Sequence, residues 1–199
     1  MTPGGRALVV VALVAVAGCT VSIGGLQPDT QPASTTRADG TPADGRPAGR
    51  ERSATVVHVV DGDTVDVRFA DGTEQRVRLL GVDTPEVSGD VAPWEFEGVP
   101  DTDAGRACLR RWGERASQYA SDRLAGAEVT VTTDPVADER GSYGRLLAYV
   151  TTDGDSFNRE LLARGYARLY DSPFSRLEEF TATERRARRN DTGLWACAS

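Results

Sequence analysis

The sequence predicts an α+β fold, a small barrel of five strands carrying three helices, preceded by a signal segment and a disordered tether. Three observations carry that prediction. Short β-branched or alternating segments separated by Asp-Gly turns fill the stretch from Thr55 to Leu80. Two more strand-like segments, at Glu128–Thr132 and Arg145–Thr151, are interleaved with helical ones. Ahead of them, Thr20 to Arg52 has neither an aromatic residue nor sustained apolar periodicity.

Thr55–Val60 is β-branched and ends at Asp61-Gly62. Val65–Phe69 alternates apolar and polar with period two, as a half-buried strand does, and turns at Asp71-Gly72. Glu74–Leu80 follows, so the first three strands form a meander. A helical stretch beginning near Glu114 and including Gln118–Ala125 gathers Ala116, Tyr119, Ala120 and Leu124 on one face. Strands at Glu128–Thr132 and Arg145–Thr151 come next. Phe157, Leu161 and Leu162 mark a short helix that stops at Gly165, and a last helix is expected from a Ser175-x-x-Glu178 capping box to about Arg189. The order β-β-β-α-β-β-α-α fits a five-stranded OB-fold barrel with three helices.

The N-terminus reads as a targeting segment. One Arg precedes an unbroken apolar run of eleven residues, Ala7 to Ala17, that ends in Val16-Ala17-Gly18-Cys19. At about 1.5 Å per residue that run is too short for a hydrocarbon core about 30 Å thick. It has the parts of an export signal, and its end resembles a lipobox, in which Cys19 becomes the lipidated first residue; cleavage near Ala17 with plain secretion is the alternative. The Gly-, Pro- and polar-rich Thr20–Arg52 stretch then reads as a tether with a reach of about 30 Å. The expected divisions are a signal segment at 1–18, a lipidated Cys and linker at 19–53, and a folded domain at 54–199. The expected location is the outer face of the cell membrane, with no membrane partner beyond the anchor. If Cys19 is lipidated, Cys108 and Cys197 remain. An even count in an exported chain suggests a disulfide between them, two unpaired buried thiols being the alternative.

The charge balance is acidic, with 23 basic residues, all Arg, against 30 carboxylates. This excludes tight binding to nucleic acid or anionic membrane through broad positive charge. A Lys-free acidic surface suits solubility in concentrated salt, and a G+C-rich genome would replace Lys with Arg in the same way.

Chemistry gathers in three short segments at strand ends: Asp61-Gly62-Asp63-Thr64, Arg78 through Asp83-Thr84-Pro85-Glu86, and Tyr143-Gly144-Arg145. Each alone is common turn or strand-exit chemistry. Together they offer carboxylates and a backbone carbonyl, a hard all-oxygen set suited to Ca²⁺, beside two guanidiniums able to hold a phosphate bidentately. His58, the only histidine, reads as an outward strand residue.

Taken in order, these segments resemble the staphylococcal nuclease (thermonuclease) family. The first strand, the DGDT turn, R-L-L-x-V-D-T-P-E and Y-G-R all match, as do Asn158–Gly165 and the terminal Gly193-Leu194-Trp195, over about residues 54–197. The resemblance implies an OB-fold nuclease that cleaves DNA and RNA phosphodiesters with Ca²⁺ and leaves 3′-phosphate ends. It implies Asp63 and Asp83 as Ca²⁺ ligands with the Thr84 main-chain oxygen as a third, and Glu86 as the base for, or positioner of, the attacking water. Arg78 and Arg145 would stabilise the charge on phosphorus, and Tyr143 would lie near a nucleotide phosphate. Asp61 matches a supporting acid, and Tyr166 or Tyr170 is a candidate for base stacking or for core packing. Expected partners are single-stranded DNA or RNA, bound by a monomer.

Two departures stand out. Val87 to Trp112, with Asp90, Glu95, Glu97, Asp101 and Asp103, is longer and more acidic than the family's loop there, and would either cover the site or lie solvated on the surface. Asp138–Ser142 lacks the family's Asp-Lys pair. Arg185, Arg186, Arg188 and Arg189 suit a helix C-terminus, a phosphate-binding patch being the alternative. The rival function is a catalytically silent OB-fold module for nucleic-acid or protein binding; such a copy would be expected to lose a carboxylate or arginine from the constellation, which is complete here.

Overall fold

The computed structural model describes residues 49–198. The signal segment, Cys19 and nearly all of the tether lie outside the described residues. Among the described residues no helix is long and apolar enough to cross a membrane.

Strands β1 (Glu51–Val59), β2 (Thr64–Phe69) and β3 (Glu74–Leu79) form the expected antiparallel meander. β1 starts at Glu51, ahead of its apolar run, because Glu51–Thr55 pairs with Thr132–Glu128 of β5 (Glu128–Thr132). Two-residue β4 (Val82–Asp83) leaves the meander. β5 pairs antiparallel with β6 (Leu146–Thr152), and β6 pairs parallel with β3, which closes a five-stranded barrel. β7 (Asp155–Ser156) extends the sheet, and β8 (Arg168–Leu169) pairs antiparallel with β4. The alternating inward residues Val65, Val67, Val77, Leu79, Val129 and Val131 fill the barrel, with Phe157, Leu161 and Phe180 from the helices beneath.

Helix α1 (Asp103–Leu124) begins eleven residues before Glu114, the expected start. Thr102 caps it by accepting a hydrogen bond from the Gly105 amide at 3.1 Å, and Asp103 suits the positive end. Its buried stripe runs back through Ala116, Gly113 and Leu109 to Gly105. Two glycines, poor helix formers, conceal that continuation in the sequence. They are needed for contact: a Cβ on Gly113 would lie 2.3 Å from the Pro85 carbonyl oxygen.

The Val87–Trp112 segment is therefore not a solvated loop. Val91, Phe96, Val99 and Leu109 pack with Ala187, Leu194, Trp195 and Cys197 in a second apolar cluster. A disulfide joins Cys108 to Cys197 there, with Cα atoms 5.9 Å apart.

Helix α2 (Phe157–Ala163) is capped by Ser156 and ends before Gly165, whose φ is 64°. Helix α3 (Leu177–Arg189) lacks the expected capping box. Ser175 instead directs its amide and hydroxyl at the buried Asp134 carboxylate, and Glu179 is held by Arg176 at 2.8 and 2.9 Å.

Candidate active site

The turn after β1, the exit of β3 and the start of β4 meet on one side of the barrel. In the turn, the Asp61 carboxylate accepts a hydrogen bond from the Asp63 amide at 3.0 Å, a local Asx-type closure. Gly62 is required by close approach rather than by a positive φ: an added Cβ would stand 2.9 Å from both the Ala116 methyl and Thr84 Cγ2. Helix α1 thus braces both acidic segments, one through Ala116 and the other through Gly113. On the opposite side, buried Asn158 accepts from the Val150 amide at 2.9 Å and donates to the Leu80 and Ala148 carbonyls at 3.0 and 3.2 Å. That clamp fixes the β3 exit against β6.

The braced segments aim their charges at one another. Buried Asp63 offers Oδ2 to the Thr84 amide at 2.7 Å and the Thr84 hydroxyl at 2.9 Å. Its Oδ1 faces Arg78 Nη1 at 2.7 Å. The same guanidinium holds Asp83 Oδ1 at 2.6 Å through Nη2 and donates to the Val82 carbonyl at 3.0 Å. Asp63, Asp83, Thr84 and Arg78 are therefore one cluster.

Arg168, which sequence patterning did not single out, completes it. Its Nη2 lies 2.7 Å from Asp83 Oδ2 and 3.4 Å from Glu95 Oε2. It reaches Asp83 because β8 pairs with β4 residue for residue, and two-residue strands leave no periodicity to read. Glu86 stands exposed at the rim.

The electrostatics follow from this crowding. Burial and the charge of Asp63 push the Asp61 carboxyl up to about 6. Burial also raises Asp83, against the pull of Arg168 and Arg78 and with a further push from Asp63 and Glu95. Glu86 is raised by partial desolvation and by the charges of Asp63 and Asp83. Carboxylates that disfavour one another's ionisation at a shared, oxygen-rich site are the donor chemistry a hard cation takes. Among the described residues no three acidic, His or Cys side chains close into a ready-made cage. The fitting set is two carboxylates and a main-chain oxygen, with Arg78 spanning the two acids.

Arg145 lies apart from this cluster. It immediately precedes β6, whose Leu146 and Leu147 sit opposite Val77 and Arg78. Its carbonyl accepts from the Gly141 amide at 3.0 Å, but no ion pair or hydrogen bond joins its guanidinium to a described residue, and its Nε is buried without a partner. Its guanidinium lies 5.5 Å from the ring of Tyr143, which is 84% exposed, and the two line an open groove. Of the candidate stacking residues, half-buried Tyr166 is packed on Tyr119 with ring centroids 4.9 Å apart, whereas Tyr170 is exposed beside Arg168. His58 is exposed on β1 beside Asp66, at 3.4 Å.

A closed five-stranded barrel with an oxygen-rich, arginine-bridged pocket at its strand ends defines the class: an OB-fold protein whose charged site lies where the strands exit. The comparisons with known proteins agree. The family model described as "Staphylococcal nuclease homologue" matches residues 76–197, and the chain belongs to that family. It is 42% identical over 147 residues to an uncharacterised protein of Methanocaldococcus jannaschii, covering 70% of each chain. It is 31% identical to endonuclease YncB of Bacillus subtilis, over 72% of this chain and 62% of that one. It is 29% identical to the thermonuclease of Staphylococcus hyicus, over 73% of this chain and 77% of that one.

Proposed function

We propose that this protein is a calcium-dependent nuclease that hydrolyses phosphodiester bonds of DNA, RNA or both to 3′-phosphate products, and that it acts outside the cell membrane, lipid-anchored at Cys19 or secreted. Family membership, together with relatives named endonuclease and thermonuclease, supports a nuclease hydrolase. The observation that carries the finer reading is the meeting of Asp63 and Asp83 at one guanidinium, with Glu86 at the rim and Arg145 two strand positions before Leu147, which sits opposite Arg78.

Asp63, Asp83 and the Thr84 main-chain oxygen would hold Ca²⁺, which when bound supplies Lewis acidity to the phosphate and acidifies water. The chain's own residues supply the rest. Glu86 takes the proton of the attacking water; its raised pKa makes it a better base near neutrality. The water oxygen bonds to phosphorus and the bond to the 5′ oxygen breaks, which leaves the phosphate on the 3′ side. Arg78, pivoting from its carboxylates, and Arg145, whose guanidinium has no ion partner among the described residues, donate to the phosphoryl oxygens as charge develops. The departing oxygen, held by Arg145, takes its proton from solvent.

The test is digestion of single-stranded DNA in Ca²⁺ and then in chelator, followed by end analysis. Cleavage only with Ca²⁺, giving ends that a 3′-phosphatase alters, is expected. Chelator-resistant cleavage, 5′-phosphate ends, or binding without cleavage would contradict the reading.

A further inference from the structure

The segment that distinguishes this chain near the site is held at both ends by arginines. Glu95 touches Arg168, which touches Asp83, at one end. Two residues on, Glu97 pairs with Arg188 of α3 at 2.8 Å. Between them Phe96 is extended and buried, so the Cα atoms of residues 95 and 97 are about 7 Å apart. Trp94, next to Glu95 in the short 3₁₀ helix Pro93–Glu95, is 71% exposed, while Pro93 and Phe96 anchor it from either side.

Glu97 itself lines an open groove together with Arg185, Arg188, Arg189, Asp191 and Trp195. Helix α3 is docked to the site itself, since Glu184 accepts from the Leu169 amide at 2.7 Å. Arg188 is one helical turn beyond Glu184, and Arg185 and Arg189 share a face at i,i+4 spacing. Both are exposed and have no ion partner among the described residues. On a chain of net charge −7, three arginines on one groove, whose Glu97 follows the exposed Trp94 by three residues, are a local reversal of sign.

We infer that this groove is a distal substrate subsite: a single strand of DNA or RNA leaves the Asp83 pocket across the 93–97 segment, stacks a base on Trp94 and sets its phosphates against Arg185 and Arg189. The inference rests on the nuclease reading for its ligand and extends it to a track several nucleotides long. Base stacking needs an exposed aromatic face, and backbone tracking needs unpaired cations along one line. Arg188, spent on Glu97 and lying 5.0 Å from the Trp195 ring, supports the groove wall.

Fluorescence anisotropy of labelled oligothymidylates three and twelve nucleotides long, in chelator, reads binding without cleavage. The twelve-mer should bind at least about tenfold tighter than the three-mer, and Trp94→Ala should weaken the twelve-mer about tenfold. The Arg185→Gln, Arg189→Gln double variant should flatten the log–log salt slope for the twelve-mer by about 1.4, the release from two phosphates of a single strand. The corresponding double Lys variant should keep the slope. Equal affinities and slopes for wild type and these variants, in a protein that cleaves with Ca²⁺, would overturn the track alone. A wild type that fails to cleave would overturn the nuclease reading together with it.

Discussion

The site has two halves that differ in how their charges are spent. In one, Asp63, Arg78, Asp83 and Arg168 occupy one another's hydrogen-bonding capacity at 2.6–2.7 Å, and all are largely shielded from water. In the other, Glu86 stands at the rim, the Arg145 guanidinium has no ion partner among the described residues, and Tyr143 lies open. The paired half keeps acidic and basic groups in register through its own ion pairs. The open half carries donors and a base that give up nothing on meeting a phosphate. Holding geometry and supplying chemistry are thus assigned to different residues, and mutations should separate them.

Arg78 is the residue where both roles meet, so its loss should have the largest effect. Arg78→Leu leaves Asp63 and Asp83 buried without their shared counter-charge, which costs about 3–5 kcal/mol when a buried pair is broken from one side. Denaturant unfolding in chelator should show that loss, and cleavage should fall by about 10²–10³ as a phosphate donor disappears. A variant of normal stability would mean that the cluster is not a structural unit.

Asp134 provides the control for that comparison. Like Asp63 it is buried and fully bonded, but it accepts only neutral donors: the Val136 and Ala137 amides at 2.8 and 3.0 Å, Tyr149 at 2.7 Å, and Ser175. Burial alone would raise its pKa, yet the Ser175, Tyr149 and amide hydrogen bonds hold it below the ordinary 3.8. A depressed folded value contributes stability at pH above the unfolded pKa and loses it as pH falls through the folded one. Asp134→Asn should therefore cost about 2 kcal/mol near neutrality, and its gap from wild type should close on acidification below about pH 4. The specific activity of the folded fraction should stay at the wild-type level. A gap independent of pH would remove the carboxylate as its cause.

The sequence made the carboxylate segments visible because each is local. Asp-Gly turns and alternation delimit β1 to β3, so Asp63, Arg78 and Asp83 could be assigned to strand ends before their distances were known. Arg168 and Glu95 were not legible as site residues, because they arrive through a two-residue ladder and a 3₁₀ turn that leave no periodic trace. The early start of α1 was hidden by Gly105 and Gly113, which the helix keeps so that it can approach the Pro100 and Pro85 carbonyls. The Ser175 capping box failed for a related reason: a buried carboxylate 41 residues away competes for the same hydroxyl and wins. For Arg168, Glu95, the start of α1 and Ser175, the deciding partner came from elsewhere in the chain and left no local signal.

Single-turnover cleavage of single-stranded DNA at saturating Ca²⁺, with wild type, Glu86→Gln and Arg145→Ala compared at equal folded concentration, tests the division most directly. The account predicts that each substitution slows the chemical step by about 10²–10³ while the midpoint of thermal unfolding stays at or above the wild-type value. Cleavage at the wild-type rate by both variants would contradict it.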